Sequence, residues 1–206
     1  MSMPSARVAT ACYALQRARP ADIRTVSTLL VEAARWMNGR GYDAWRVDGF
    51  PDQRILPWIE AGTCWILTDP RAGGRPVATF TLDALPDPEH VAADLVIEGE
   101  KFTDALVLHK MAVARHTAGQ GISTLILEWA LDRTARSVVD PRTGVARQWL
   151  WLNVARRARP LQAWYALHGF EHVTTVEVPG RKSGMLMRRF ARVDARARNR
   201  FAEAKR

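Results

Sequence analysis

The sequence predicts a single α+β domain, and three observations carry that expectation. Apolar segments with strand and helix periodicity interleave from residue 12 to residue 190, with no repeat and no linker rich enough to divide them. A chain of 206 residues with 48% hydrophobic content can bury one core but is short for two. One strongly apolar strand runs through a glycine-containing loop directly into a long helix.

Taken in order, residues 12–19 alternate apolar and polar side chains before Pro20, the pattern of a half-buried strand. Pro20, Ala21 and Asp22 then start a helix in which Ile23, Val26, Leu29, Leu30 and Ala33 recur at three- and four-residue steps as far as Gly39 to Gly41. A short helix over 51–61 closes at Gly62, and 63–68 and 76–82 form a hairpin around a turn rich in proline and glycine. Residues 85–104 hold two prolines, several acids and little periodicity, so they read as a surface excursion that could border an acceptor site. A strand over 105–113, a helix over 119–139, a strand over 148–154, a short helix over 160–167 and strands over 170–178 and 184–190 complete the domain. Beyond residue 190, alanine and arginine alternate without an apolar face. Residues 191–206 are therefore expected to be a basic tail of frayed helix or no fixed structure, outside a domain spanning 1–190.

Charge is unevenly spread. Residues 1–100 carry 10 basic and 13 acidic side chains and residues 101–206 carry 20 and 8, so the second half alone is +12. Such a field suits a polyanion, either nucleic acid or a smaller phosphorylated coenzyme. No aromatic and basic motif of a known RNA module accompanies it. No apolar run reaches the roughly 18 residues that cross a bilayer, and residues 1–16 lack the basic-then-apolar order of a secretion signal. The expectation is a cytoplasmic protein without a membrane partner. Cys12 and Cys64 lack metal-ligand spacing and are expected to be buried, reduced thiols, with no metal.

Ala118-Gly119-Gln120-Gly121-Ile122-Ser123 is where phosphate chemistry is expected. A helix start exposes backbone N–H groups without an intrahelical partner, its dipole adds partial positive charge, and glycines admit a phosphate where a side chain would block it. Two glycines before a helix are often only a turn. The surrounding residues add the specificity: Met111 to Trp129 resembles the acyl-CoA-binding motif of the GNAT superfamily, Q/R-x-x-G-x-G/A. Aligned on Gly121, the family's Gln or Arg falls on Ala118 and its last small residue on Ser123, which leaves Arg115, His116 or Gln120 to supply the polar group that alanine lacks. Leu152 to Phe170 is similar to the family's C-terminal block, in which a strand leads through a polar loop to a helix ending in Tyr-x-x-x-Gly-Phe, here Tyr165, Gly169 and Phe170. Ala158 stands where the family often has Asn.

The resemblance implies a mixed, mostly antiparallel sheet of six to seven strands flanked by helices and splayed between its fourth and fifth strands. It implies acetyl-CoA, or another acyl-CoA, as cosubstrate, held by Met111, Ala112 and Val113 beside the thioester, by Ala118 to Ser123 at the pyrophosphate, and by Asn153. Tyr165 takes the place of the acid that protonates the departing thiolate. His109, two residues before Met111 on the same strand face, is the candidate general base, with Glu98, Glu100 and Asp104 as alternatives acting through water. In the loop after the first helix, Trp36, Tyr42 and Trp45, with Phe50, Asp43 and Asp48, are candidates for holding an amine. The expected activity is acetyl transfer from acetyl-CoA to a primary amine of a small molecule or peptide by direct attack in a ternary complex. A catalytically silent CoA-binding module and an acyltransferase acting on an RNA-linked or protein amine are the alternatives. A homodimer fits the family as well.

Overall fold

The computed structural model describes residues 13–42, 44–94, 104–139 and 141–203. Its strands are β1 (Tyr13–Arg17), β2 (Cys64–Asp69), β3 (Arg75–Asp83), β4 (Ala105–Val113), β5 (Trp149–Ala155), β6 (Glu171–Thr175), β7 (Ser183–Phe190) and β8 (Phe201–Glu203). Its helices are α1 (Ile23–Gly39), α2 (Asp52–Glu60), α3 (Pro88–Ala92), α4 (Ile122–Arg136), α5 (Arg159–Leu167) and α6 (Ala195–Arg198). All eight strands join one sheet in the order β6-β7-β5-β4-β3-β2-β1-β8. The β4–β5 and β1–β8 pairs are parallel and the others antiparallel.

Successive residues of a strand point to opposite faces, and β2 makes the two layers visible. Trp65 and Leu67 join a core with Leu108, Ile126, Trp129, Leu150 and Tyr165, beneath α4 and α5. Ile66, between them, joins Val26, Leu30, Ile55 and Ala112 beneath α1 and α2. Helix α4 is buried on much of its circumference, at Ile122, Ile126, Leu127, Trp129, Ala130 and Leu131, which explains the breadth of apolar residues along it.

Two irregularities in β4 create the site. Strands β4 and β5 pair only at Ala105↔Trp149, Leu106↔Leu150 and Val107↔Trp151, although they continue to Val113 and Ala155. The sheet therefore splays open there, as the resemblance implied. On its other side, β4 shifts register against β3 between Thr79 and Thr81, and Lys110 takes a left-handed φ of 55°. This is a β-bulge, one extra residue inserted into the strand. It corrects one expectation: His109 and Met111 do not share a face. Met111 packs with Leu108 in the α4 core, three residues on rather than two, whereas His109 lies against Trp58 of α2.

Residues 191–203 are also not a loose tail. Asp194 N–H donates to the buried carboxylate of Asp132 at 2.8 Å, Phe201 enters the α4 core, and Trp129 Nε1 donates to Glu203 at 2.8 Å. Strand β8 then pairs with β1 as an eighth strand beyond the expected six to seven. The buried apolar residues of this segment, Ala191, Ala197 and Phe201, are too sparse among arginines to register as periodicity. The excursion before β4 is likewise partly internal, because Glu89 and His90 on α3 are wholly buried. Cys64 is a free, buried thiol 3.8 Å from Thr79 Oγ1, and burial raises its pKa to about 11. Cys12, Asp43, Glu98 and Glu100 lie outside the described residues.

Candidate active site

A cavity of about 440 Å³ runs through the splay. The β4 segment from Leu108 to Val113 and the β5 segment from Leu152 to Ala155 form its walls, Ser123 and Tyr165 lie at one side, and Trp36, Trp45 and Phe50 at the other.

The loop before α4 has the geometry of an anion cradle. Gly119 and Gly121 have φ of 81° and 72°, left-handed values that side chains disfavour, and a Cβ placed on either would meet nothing within 4 Å. The first α4 carbonyl to accept a helical hydrogen bond is that of Gly121, from Leu125 N–H. The N–H groups of Gly119, Gly121, Ile122, Ser123 and Thr124 make no hydrogen bond among the described residues. Ala118, Gly119, Gln120 and Gly121 are exposed, whereas the Ile122 side chain is buried in the core and Ser123 lines the cavity. Of the residues that could supply a polar group in place of Ala118, Arg115 lays its guanidinium over Trp36 at 4.2 Å, and Gln120 accepts from Tyr13 at 3.5 Å. His116 is exposed. Backbone N–H groups and the helix dipole thus dominate this cradle.

Tyr165 is held by the turn that follows it. Gly169 adopts φ 76°, Phe170 N–H returns to the Tyr165 carbonyl at 3.1 Å, and the Phe170 ring packs 5.8 Å from the Tyr165 ring. The spacing of tyrosine, glycine and phenylalanine is therefore a packing device as well as a motif. The Tyr165 hydroxyl makes no hydrogen bond among the described residues, the side chain lines the cavity, and burial raises its pKa, keeping the phenol protonated. Ala158 is buried at the start of α5, where Gln162 Nε2 binds the carbonyls of Ala155 and Arg156 at 2.8 and 2.9 Å.

Across the splay, His109 Nε2 lies 3.0 Å from Asp83 Oδ2, and both side chains are nearly covered. His109 lines the cavity. Met111, Ala112 and Val113 line it too, with their side chains committed to the two cores. Asn153 sits on the His109 side rather than along the α4 face, because its neighbours Leu152 and Val154 take the α4 core. It donates from Nδ2 to Asp87 Oδ2 at 3.1 Å, and its Oδ1 is buried without a partner among the described residues.

Of the aromatic candidates, Trp36 and Trp45 line the cavity, and Tyr42 stands edge-on behind Trp36 at 6.3 Å. Asp48 pairs with Arg46 at 2.9 Å in solvent and does not neutralise a ligand in the cavity. Among the described residues, the carboxylate that faces it is Asp87. Burial opposes its ionisation, but His109, Lys110 and the Asn153 amide outweigh this and hold its pKa below the usual range. Lys110 also faces the cavity, and burial lowers its pKa against the attraction of Asp87. Sequence patterning missed Asp87, Lys110, Arg54 and Arg181. Only Lys110 left a trace, as a charge inside an apolar strand. Among the described residues there is no cluster of metal-ligating side chains, and no helix is long and apolar enough to cross a membrane.

No family model matches the chain. An uncharacterized N-acetyltransferase of Bacillus subtilis, YesJ, is 30% identical over 112 residues, 53% of this chain and 58% of the relative, so the match spans little more than half of that protein. Among solved structures, a GNAT-family acetyltransferase from Listeria monocytogenes superposes with a TM-score of 0.67 at 19% identity, covering 86% of this chain and 94% of the other. One from Streptococcus agalactiae gives 0.64 at 16% identity, covering 86% and 95%. A phosphinothricin acetyltransferase from Sinorhizobium meliloti in complex with acetyl-CoA gives 0.58 at 15% identity, covering 87% and 89%.

Proposed function

From the premise that this chain has the GNAT fold, we propose that it is an N-acyltransferase that moves an acetyl group from acetyl-CoA to a primary amine by direct attack. One observation carries the reading: the splayed β4–β5 walls, the Ser123 end of the α4 loop, Tyr165 and His109 all meet in one cavity. The resemblance of both sequence blocks to the same superfamily and the curated relative's name support it.

The residues fit the coenzyme. The N–H groups of Gly119 and of Gly121 to Thr124, unpaired among the described residues, and open space at the two left-handed glycines suit a pyrophosphate. The coenzyme supplies the acetyl group as a thioester. Backbone N–H groups of Met111 and Val113, on the splayed side of β4, would polarise its carbonyl. His109, oriented by Asp83, would take a proton from the attacking amine, and Tyr165, kept neutral by burial, would return one to the thiolate. Trp36 and Trp45 wall the amine's side of the cavity.

Free-thiol release, measured with acetyl-CoA and a panel of primary amines, tests the proposal. Amine-dependent release is expected. CoA binding without release for any amine would instead identify a silent binding module.

A further inference from the structure

The amine side of the cavity has an unusual balance of charge. Arg54, Lys110 and Arg181 all face it, and Lys110 feels the field of both arginines. Arg181 is tied to the buried Glu89 at 2.7 Å. Neither Arg54 nor Lys110 has an ion pair among the described residues: Arg54 donates to the Gly49 carbonyl at 2.9 Å, and the Lys110 ammonium stands 5.8 Å from the Trp58 ring. Lys110, largely withdrawn from water, and the exposed Arg54 therefore face a cavity that offers them, among the described residues, one carboxylate, Asp87. Holding a second cation close to a desolvated one is unfavourable unless a further anion joins them. Lys110 is moreover fixed there by the bulge, at a left-handed φ of 55° that only a surrounding structure sustains.

The opposite polarity is present beside it. Asp87 Oδ2 is oriented by Asn153 Nδ2 at 3.1 Å, and because that amide nitrogen must face the carboxylate, Asn153 Oδ1 is the atom left buried without a donor among the described residues. Asp87 and Asn153 offer acceptors to an ammonium, and Lys110 and Arg54 offer donors to an anion. A simple alkylamine would satisfy only the first pair, and a polyamine would be repelled by the second.

Building on the acetyl-transfer reading, we infer that the acceptor is a primary amine carrying its own acidic oxygen group, an amino acid or aminophosphonate, with Asp87 and Asn153 receiving the amine and Lys110 and Arg54 the acid. The aromatic walls leave room for an apolar body between the two ends.

The test uses sets of four matched amines: several α-amino acids and, for each, its primary amide, its decarboxylated amine and its aminophosphonate analogue. Thiol release with acetyl-CoA is expected to show kcat/KM at least about tenfold higher for an acid-bearing member than for the amide or amine of its set. Which acid is preferred separates carboxylate from phosphonate recognition. Lys110→Asn removes the charge while tolerating the left-handed backbone, and Arg54→Gln does so at an exposed position. Each should lower kcat/KM for the acid by about tenfold. Acid-free amines, which use Asp87 but not the cations, should lose clearly less than the acid of their set, and CoA affinity should hold. Acid-free amines serving equally well in every set would overturn the inference while leaving the acetyltransferase reading intact. Should no amine be turned over, calorimetric titration of the CoA-saturated protein with the same sets decides, since equal affinity for acid and amide also overturns it.

Discussion

His109 Nε2 and Asp83 Oδ2 stand 3.0 Å apart at the edge of the cavity, joined across the β3–β4 ladder one step before the bulge at Lys110. A carboxylate in that position fixes both the rotamer and the tautomer of an imidazole. His109→Gln is expected to lower kcat for amine acetylation by about two to four orders of magnitude, the usual span for removal of a general base. Asp83→Asn should cost less, since it removes only the orientation. Neither should alter acetyl-CoA affinity. A His109→Gln variant with full kcat would leave His109 as a buried structural residue.

Gly121 tests the anion cradle. At φ 72° any side chain is strained, by about 1–2 kcal/mol, and an added side chain would project into the open space that the phosphate needs. Gly121→Leu is expected to fold with a modestly lower Tm and to bind CoA at least about tenfold more weakly, as read by calorimetry. Unchanged affinity would move the pyrophosphate elsewhere.

The fold, the glycine loop before α4 and the turn after Tyr165 were legible because they depend on local chemistry. Gly119 and Gly121 mark a backbone conformation, and Tyr165, Gly169 and Phe170 mark a helix end that folds back on itself. The side of the cavity lined by His109 and Lys110 depends on register. One extra residue at Lys110 turns His109 away from Met111, and no pattern of period two shows an insertion. Asp87 was hidden for a different reason: it meets Asn153 across 66 residues, in a segment with no periodicity of its own. The last strand was hidden by composition, with Phe201 a single anchor among arginines.

Tyr165→Phe isolates the phenol. The ring still packs on Trp164 and Phe170, and the hydroxyl it loses has no partner among the described residues, so stability should change by less than about 1 kcal/mol. Acetyl transfer should slow by about tenfold or more, with KM for acetyl-CoA unaltered. Thiol release at the wild-type rate would reduce Tyr165 to a packing residue.

The C-terminal strand yields a stability prediction. Phe201 is 6% exposed within the α4 core, and its strand β8 covers the β1 edge of the sheet. Phe201→Ala should destabilise the fold by about 3–5 kcal/mol, less if the short strand detaches and refills the gap. A chain ending at Ala191 should lose more, because Asp132 and Trp129 then also lose Asp194 and Glu203. Thermal melts that coincide with the wild type would return residues 191–206 to the status of a tail.

Glu89 gives the pH dependence of stability. It is wholly buried on α3 and accepts from Arg181 at 2.7 Å and from the Ser183 hydroxyl. Burial alone would raise its pKa, but those two hydrogen bonds prevail and hold it below the ordinary value of 4.5. A carboxyl whose pKa is depressed by folding adds stability above its unfolded pKa and loses it as the pH falls through the folded one. Wild-type protein should therefore weaken as the pH drops below about 4.5 and its paired carboxylate protonates. Glu89→Gln, similar in volume but unable to ionise, should be less stable at pH 7 by about 1–3 kcal/mol. Because the variant has no charge to lose, the gap between the two proteins should narrow steadily from pH 7 to pH 3 in urea unfolding. A gap that stays constant across that range would mean that Glu89 is as protonated in the fold as outside it, and that Arg181 is held at the cavity by something other than this pair.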